Sequence, residues 1–475
     1  MPARGVVVLL AACAFHWPVA SAAAEPPTLQ QRLQDAVAFA GSSLIATANA
    51  ANVTDTDFPC YAEPGQDWET RSPADWGSGM FGGSFWLLAK LTGDTQYATF
   101  GQLWSVKVDA TAAGPAWDAC KTWYDYNGDP AARNVVIAAA QLQTSTYVPL
   151  PDANGQNPGS RGVFTATGWR PDHYRAPTWA ATYVDQMLFM QVGLWTASQT
   201  DDSDMYDKCI LAARTSHDLL SRPDGGTHHW AYINTTTGSC ITTQYQGYND
   251  STTWARGQAW MIHGLADVAL CARQAGDPPT TDEFRGYAEA AADYWLDNPA
   301  LPADGIPIWD FNAGSTVPSH LDRDTSAAAI AASGFIDLSR LETDPALKAR
   351  YLGAAEVILT SLSTPIDQAG YLNQNPDGSS AGNGILTHGV YVHSYSKATG
   401  NSGQFSKSVV DNAATIWGDY YFLEAIAKYE AVVPEPASIS LLAVGGLAIL
   451  RRRGRRRAQK SRRRGRTWVP RLRCG

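Results

Sequence analysis

The stretch MIHGLADVALCARQAGDPPT, Met261 to Thr280, decides the fold. Met261, Leu265 and Val268 recur at helical spacing and share one face, so the first part reads as a helix with an apolar side. Gly276, Asp277 and the two prolines after them then supply a helix stop and the start of the next helix. The same arrangement returns along the chain, in LTGDTQY near Gly93, NGDPAAR near Gly128, QTDDSDMY near Asp201, ETDPALKARY near Asp344 and ATGNSGQF near Gly400. Strand-like alternation is confined to short pieces such as HHWAYIN. Some six imperfect helix, turn, helix units with apolar inner faces predict an all-α fold, an (α/α)6 barrel of six helical hairpins closed into a ring. The hole of such a ring is a pocket lined from the ends of the inner helices, and the long loops 143 to 178 and 364 to 408 are expected to build its rim.

At 475 residues and 45% apolar content the chain can hold a large core. The net charge of −9 hides an asymmetry, because residues 451 to 475 carry thirteen Lys/Arg and no acid. Residues 25 to 450 hold 22 Lys/Arg against 45 Asp/Glu, a net −23. So acidic a body argues against a nucleic-acid partner, which requires a basic face. Cys60, Cys120, Cys209, Cys240 and Cys271 show no C-x-x-C or Cys/His cluster, so no metal site is expected. Their odd number allows a disulfide and leaves at least one free thiol.

Candidate chemistry concentrates in YQGYNDSTTWARGQAW, Tyr245 to Trp260, which is rich in aromatic and planar hydrogen-bonding side chains and nearly free of aliphatic ones. Such a surface suits a polar, flat-faced ligand, and a sugar is one. Arg256 and Trp260 are four apart, so a guanidinium and an indole project from one helix face. The first suits a carboxylate and the second a sugar ring, although the pair could equally pack a helix end. Upstream, RPDGGTHHWAYIN places His228 and His229 in a hairpin-like segment where their side chains point to opposite faces, so one at most meets a ligand. The glycines of DWGSGMFGGSFWLLAKLTGD, around Trp76, admit either a substrate close to the backbone or a tightly packed helix.

Breaking a sugar bond needs a carboxyl group able to donate a proton. Asp185, in ATYVDQMLFMQVGLWTAS, is a lone acid among apolar and neutral side chains, a costly placement unless the group is protonated, paired or at work. A helix cap is its structural alternative. Asp118, in GPAWDACKTWYDY, is a second candidate beside Trp117.

The two ends carry address signals. Met1 to Ala24, with one Arg, the apolar run VVVLLAACAF and small residues after it, reads as a secretory signal peptide. VPEPASISLLAVGGLAILRRR, Val433 to Arg453, joins a Val-Pro-Glu-Pro motif to an apolar run and an arginine cluster. It resembles the PEP-CTERM sorting tag of exported bacterial proteins with a Gram-negative type of envelope, which implies handling by the sorting machinery, membrane contact through that segment alone, and a periplasmic or surface location. The apolar run is short for a stable span. The expected division is a signal peptide at 1 to 24, the (α/α)6 domain at 25 to 430, the sorting segment at 433 to 453 and a basic tail at 454 to 475.

YQGYNDSTTWARGQAW, DGIPIWDFN, RDTSAAAIAASG and IWGDYYFLEA, in this order, resemble the unsaturated glucuronyl hydrolases, glycoside hydrolase family 88, over about residues 70 to 430. The resemblance implies the same (α/α)6 barrel. It implies Asp185 as general acid/base, Asp118 as the second active-site aspartate, and Gln246, Arg256 and Trp260 as substrate-binding residues. Trp76, Trp169, His229 and Tyr391 match the family's aromatic and imidazole contacts. The second aspartate usually stands in a His-Asp-x-Gly-Phe pattern, but here the text is Trp117-Asp118-Ala119-Cys120, with Asp125 as the fallback. Tyr245 stands where many members have His.

The implied substrate is the 4,5-unsaturated uronic acid that polysaccharide lyases leave at a non-reducing end. The implied reaction is hydration of its enol ether, needing no metal or organic cofactor. An unsaturated rhamnogalacturonyl hydrolase, an inactive surface glycan-binding protein and an ordinary two-carboxylate glycosidase are the competing readings.

Overall fold

A computed structural model describes residues 27–165, 174–313, 321–397 and 410–433. The helices are α1 (Leu29–Ala48), α2 (Ser78–Thr92), α3 (Thr95–Ser105), α4 (Ala113–Pro115), α5 (Thr122–Asn127), α6 (Pro130–Thr144), α7 (Met187–Thr200), α8 (Ser203–Leu220), α9 (Ala255–Ala275), α10 (Pro278–Leu296), α11 (Thr325–Leu341), α12 (Pro345–Leu362) and α13 (Ile416–Val432). A π-helical turn, Ala116–Lys121, joins α4 to α5. Each inner element packs on the next around a closed ring, in the order α2, the α4 to α5 segment, α7, α9, α11, α13 and back to α2. Outside them lie α3, α6, α8, α10 and α12, each packed on the inner element that precedes it in the chain, while α1 closes the outer layer between α12 and α2. This is the (α/α)6 barrel.

The turns show why the sequence folds this way. Asp94, Asp129, Asp202, Asp277 and Asp344 each cap the N-terminus of an outer helix, their side chains accepting from backbone N–H groups such as Gln96, Ala131 and Met205. Such caps satisfy amides that the helix itself leaves unpaired. Gly93, Gly128 and Gly276 end the preceding inner helices in the left-handed region, at φ of 72°, 75° and 74°. Asp201 does the same at φ 54° without glycine's freedom. The sixth expected turn, near Gly400, lies outside the described residues.

The inner helices α9 and α11 are buried on nearly every side, whereas the outer α8 and α10 bury one stripe. The glycines after Trp76 serve packing. A Cβ on Gly79 would lie 2.3 Å from the Pro115 carbonyl, and one on Gly83 would lie 2.4 Å from that of Asp118. They let α2 press its backbone against the π-helical turn.

Short strands sit at the barrel's end. The sheets are β2-β1-β8 (Glu69–Arg71, Phe58–Ala62, Ala414–Thr415), β3-β4 (Tyr147–Leu150, Arg161–Phe164) and β5-β6-β7 (Trp179–Tyr183, Trp230–Asn234, Cys240–Thr243). The segment HHWAYIN supplies β6. All five described cysteines are free, so no disulfide forms among them.

Inside the ring, α9, α11 and α13 are joined by an ion network. His263 Nδ1 lies 2.9 Å from Asp267 Oδ2 and its Nε2 lies 3.2 Å from Glu424 Oε2. Lys428 Nζ reaches Ser333 Oγ at 2.7 Å, Glu424 Oε2 at 3.2 Å and the Asp337 carboxylate. Burial works to lower the His263 pKa, but the Asp267 and Glu424 carboxylates outweigh it and hold it at about 9. A folded-state value above the ordinary 6.5 means that this contribution is complete at and below pH 6.5 and is lost as pH rises through 9. Thermal unfolding followed from pH 6.5 to 9.5 should therefore show a Tm falling by a few degrees. In His263→Gln that slope should flatten, and an equally steep fall in the variant would assign the effect to other groups.

Candidate active site

A cavity opens where the inner helices begin. Trp76 precedes α2, Asp185 sits in the 3-10 turn Val184–Gln186 that leads from β5 into α7, and Arg256 and Trp260 stand in the first turns of α9. His229 and Trp230 come from the start of β6, Gln246 from the loop after β7, and Tyr391 from the segment before α13. Helix N-termini facing one cavity give it exposed amide dipoles, which favour an anion.

Asp185 is the only carboxylate among the described residues lining the cavity. It lies before the helix rather than within it, and its side chain makes no capping bond, so the cap alternative fails. Its Oδ2 lies 3.2 Å from His229 Nε2, and its side chain keeps 28% exposure against 4% for the imidazole. His229 is itself held on two sides. Its Nδ1 accepts the backbone N–H of Gln246 at 3.1 Å, and its ring stacks on Trp254 at 4.7 Å. With Nδ1 an acceptor, the neutral ring must carry its proton on Nε2, the atom turned toward Asp185. His228 lies on the other side of the segment, where burial and Arg222 push its pKa down.

Arg256 is 1% exposed and its guanidinium lies 4.5 Å over the Trp254 ring. It pairs with Asp324, the buried N-cap of α11, and donates to Gln246 and to the carbonyls of Val390 and Tyr391. Trp260 lies fully buried against Tyr421, ring centroids 5.2 Å apart. Trp76 and Tyr391 flank Trp417 at 5.1 and 5.2 Å.

The structure thus brings together Asp185, His229, Gln246, Arg256, Trp260, Trp76 and Tyr391. Trp169 lies outside the described residues. Asp118 and Asp125 are not among the cavity's lining residues. Asp118 projects into the barrel interior, where burial and the nearby Glu424 carboxylate push its pKa well up. Asp125 is half exposed and pairs with Lys121 at 2.5 Å. Asp118 stands in the π-helical turn that is pressed against Gly79 and Gly83.

Three lining residues went unread in the sequence: Tyr183, Phe189 and Trp230. Tyr183 and Trp230 are register partners on β5 and β6, stacked at 4.5 Å and 18°. The aromatic alternation of HHWAYIN was the available signal. Tyr245, noted as standing where many relatives have His, also lines the cavity.

Two described side-chain clusters have the spacing of ion ligands: His263, Asp267 and Asp337, and Asp322, His393 and Asp411. In the first, the Lys428 ammonium already neutralises the carboxylates. In the second, His393 Nδ1 accepts the Tyr395 N–H, which leaves the proton on the Nε2 that faces Asp322 at 2.9 Å. A protonated nitrogen is no metal ligand.

Comparison with known proteins points to one family. The unsaturated glucuronyl hydrolase of Bacillus sp. (strain GL1) is 27% identical over 403 residues, covering 82% of this chain and 95% of that one. The unsaturated chondroitin disaccharide hydrolase of Streptococcus agalactiae serotype III is 31% identical over 316 residues, with 66% and 67% of the two chains covered. A crystal structure of an unsaturated glucuronyl hydrolase from Bacillus sp. GL1, responsible for the degradation of glycosaminoglycan, superposes with a TM-score of 0.67 at 25% identity, over 85% of this chain and 97% of that one. Residues 432–457 match the PEP-CTERM protein-sorting motif. Among the described residues no helix is long and apolar enough to cross a membrane.

Proposed function

The chain belongs to the unsaturated glucuronyl hydrolases, a family of glycoside hydrolases, and from that premise we propose that it hydrates the C4=C5 enol ether of an unsaturated uronic acid at the non-reducing end of lyase-generated oligosaccharides. The observation that carries this reading is that Asp185 is the one carboxylate among the described residues of the cavity wall. Ordinary glycosidases flank the bond with two carboxyl groups, whereas hydration of an enol ether needs one group that gives a proton and then takes one back. Asp185 donates its proton to C4, and positive charge develops at C5 and the ring oxygen. Water adds at C5 and yields its proton to the Asp185 carboxylate, which restores the acid. The resulting hemiketal opens and releases the aglycone. His229, whose Nε2 lies 3.2 Å from Oδ2, steadies the carboxylate between the two steps by its proximity, and Trp76, Trp260 and Tyr391 wall the ring.

The sorting motif supports export to a Gram-negative type of envelope, with the C-terminal segment read by the sorting machinery.

The conjugated double bond absorbs in the ultraviolet, so absorbance loss on a panel of sulfated and unsulfated unsaturated disaccharides tests the proposal directly. Decay on at least one member, with saturated uronides left intact, is expected. A flat trace across the panel, or cleavage of the saturated compounds, would sink it.

A further inference from the structure

The inner helices α2, α7, α9, α11 and α13 begin at the cavity, so they end at the opposite face of the ring, its floor, where the hairpin turns lie. The last of them, α13, carries the chain out. At its start Trp417 lies between Trp76 and Tyr391 of the cavity wall, with ring centroids at 5.1 and 5.2 Å. One turn before its end, Lys428 pairs with Asp337, which itself stands one turn before the end of α11 and the hairpin into α12. The helix closes with the Val433 N–H donating to the Tyr429 carbonyl at 2.8 Å. α13 thus runs from cavity to floor, and its 17 residues span about 25 Å.

The match to the sorting motif covers residues 432–457, so it starts on the last residue of α13 with no linker between them. From Val432 to Ala437, where the apolar run begins, the chain takes five residue steps, a reach of at most about 18 Å. Pro434 and Pro436 stiffen this tether further. To turn the cavity toward the surface that holds the apolar run, the tether would have to cover the height of the barrel, at least the full length of α13. Its reach is shorter than that.

Resting on the reading of the C-terminal segment as a sorting tag in contact with the membrane, we infer that the floor is the face this protein turns to the bilayer and that its cavity opens away from it. The short tether on an inner helix holds the barrel upright. Oligosaccharides therefore reach Asp185 from the side away from the membrane, and short glycans attached to that same membrane lie out of reach.

The test uses the full chain on phosphatidylethanolamine and phosphatidylglycerol vesicles that carry a rhodamine-labelled lipid. A fluorescent amino acid replaces either Lys348, in the first turn of α12 on the floor, or Ser251, just before α9 on the cavity side, both of them exposed. Energy transfer to the lipid should be stronger from position 348 by about twofold or more, the consequence of about 25 Å of height. Inserting about twenty Gly/Ser residues after Val433 should shrink the difference, because a flexible tether of that length spreads over about 25–30 Å. A chain ending at Val433 should show no transfer from either position. Equal transfer from the two positions, stronger transfer from 251, or a difference that the spacer leaves undiminished overturns the inference. Vesicles that do not retain the full chain on flotation contradict the reading of the tag itself, and the inference with it, a result seen before any transfer is measured.

Discussion

Asp185→Asn is expected to lower turnover of an unsaturated disaccharide by about 10³-fold or more, the upper part of the range for a general acid/base, while substrate still binds. The size follows from the proposed double duty, since one residue both protonates C4 and receives the proton of water. The substitution preserves shape. The Asn side chain fills the same space, 3.2 Å from His229 Nε2 in the native site, and an amide has no acidic proton to transfer to C4. Because Gln246, Trp260 and Arg256 are untouched, calorimetric binding of intact substrate should stay within a few-fold of wild type. Residual activity within tenfold of wild type would mean that another group supplies the proton, and loss of binding would make Asp185 a contact residue instead.

How much of this was legible in the sequence depends on whether the relevant signal is local. The barrel was, because each hairpin turn carries its own chemistry: an aspartate that caps the outer helix, preceded in Gly93, Gly128 and Gly276 by the residue that ends the inner one. The Arg256 and Trp260 pair was also legible, since four residues on a helix fix a shared face. Tyr183 and Trp230 were not, because their stack exists only through the register of β5 on β6, which no single segment encodes. The placement of Asp118 was illegible for a related reason: the π-helical turn alters the rotation per residue, and its backbone packs against Gly83, a contact that no single segment encodes. Arg256 shows the other limit. Its position was readable and its bonding was not, for the partners that saturate it come from residues 324, 390 and 391.

Lys428→Met should destabilise the protein by about 3 kcal/mol, read as a lowered denaturation midpoint. Removing one partner from a buried ion network leaves the others charged and desolvated, a loss that typically runs to about 3–5 kcal/mol. The lower end applies here for two reasons. Asp337 keeps Arg340 at 2.7 Å, and Glu424 keeps His263 at 3.2 Å and Ser333 at 2.5 Å. The Lys428 side chain also retains 19% exposure, against 1% for Asp337. Adding Asp337→Asn to the lysine variant removes the stranded charge and should restore part of the loss, which separates electrostatics from the packing of the aliphatic stem. A single-variant cost below about 1 kcal/mol would show that Arg340 and His263 neutralise the acids unaided. The expected cost reaches the active site as well. His263 lies one helical turn beyond Trp260 on α9, and Lys428 ties that helix to α11, whose first residues follow Asp324. Loosening the network should therefore lower kcat before the protein unfolds, because Arg256 and Asp324 hold the cavity wall only while α9 and α11 keep their relative positions.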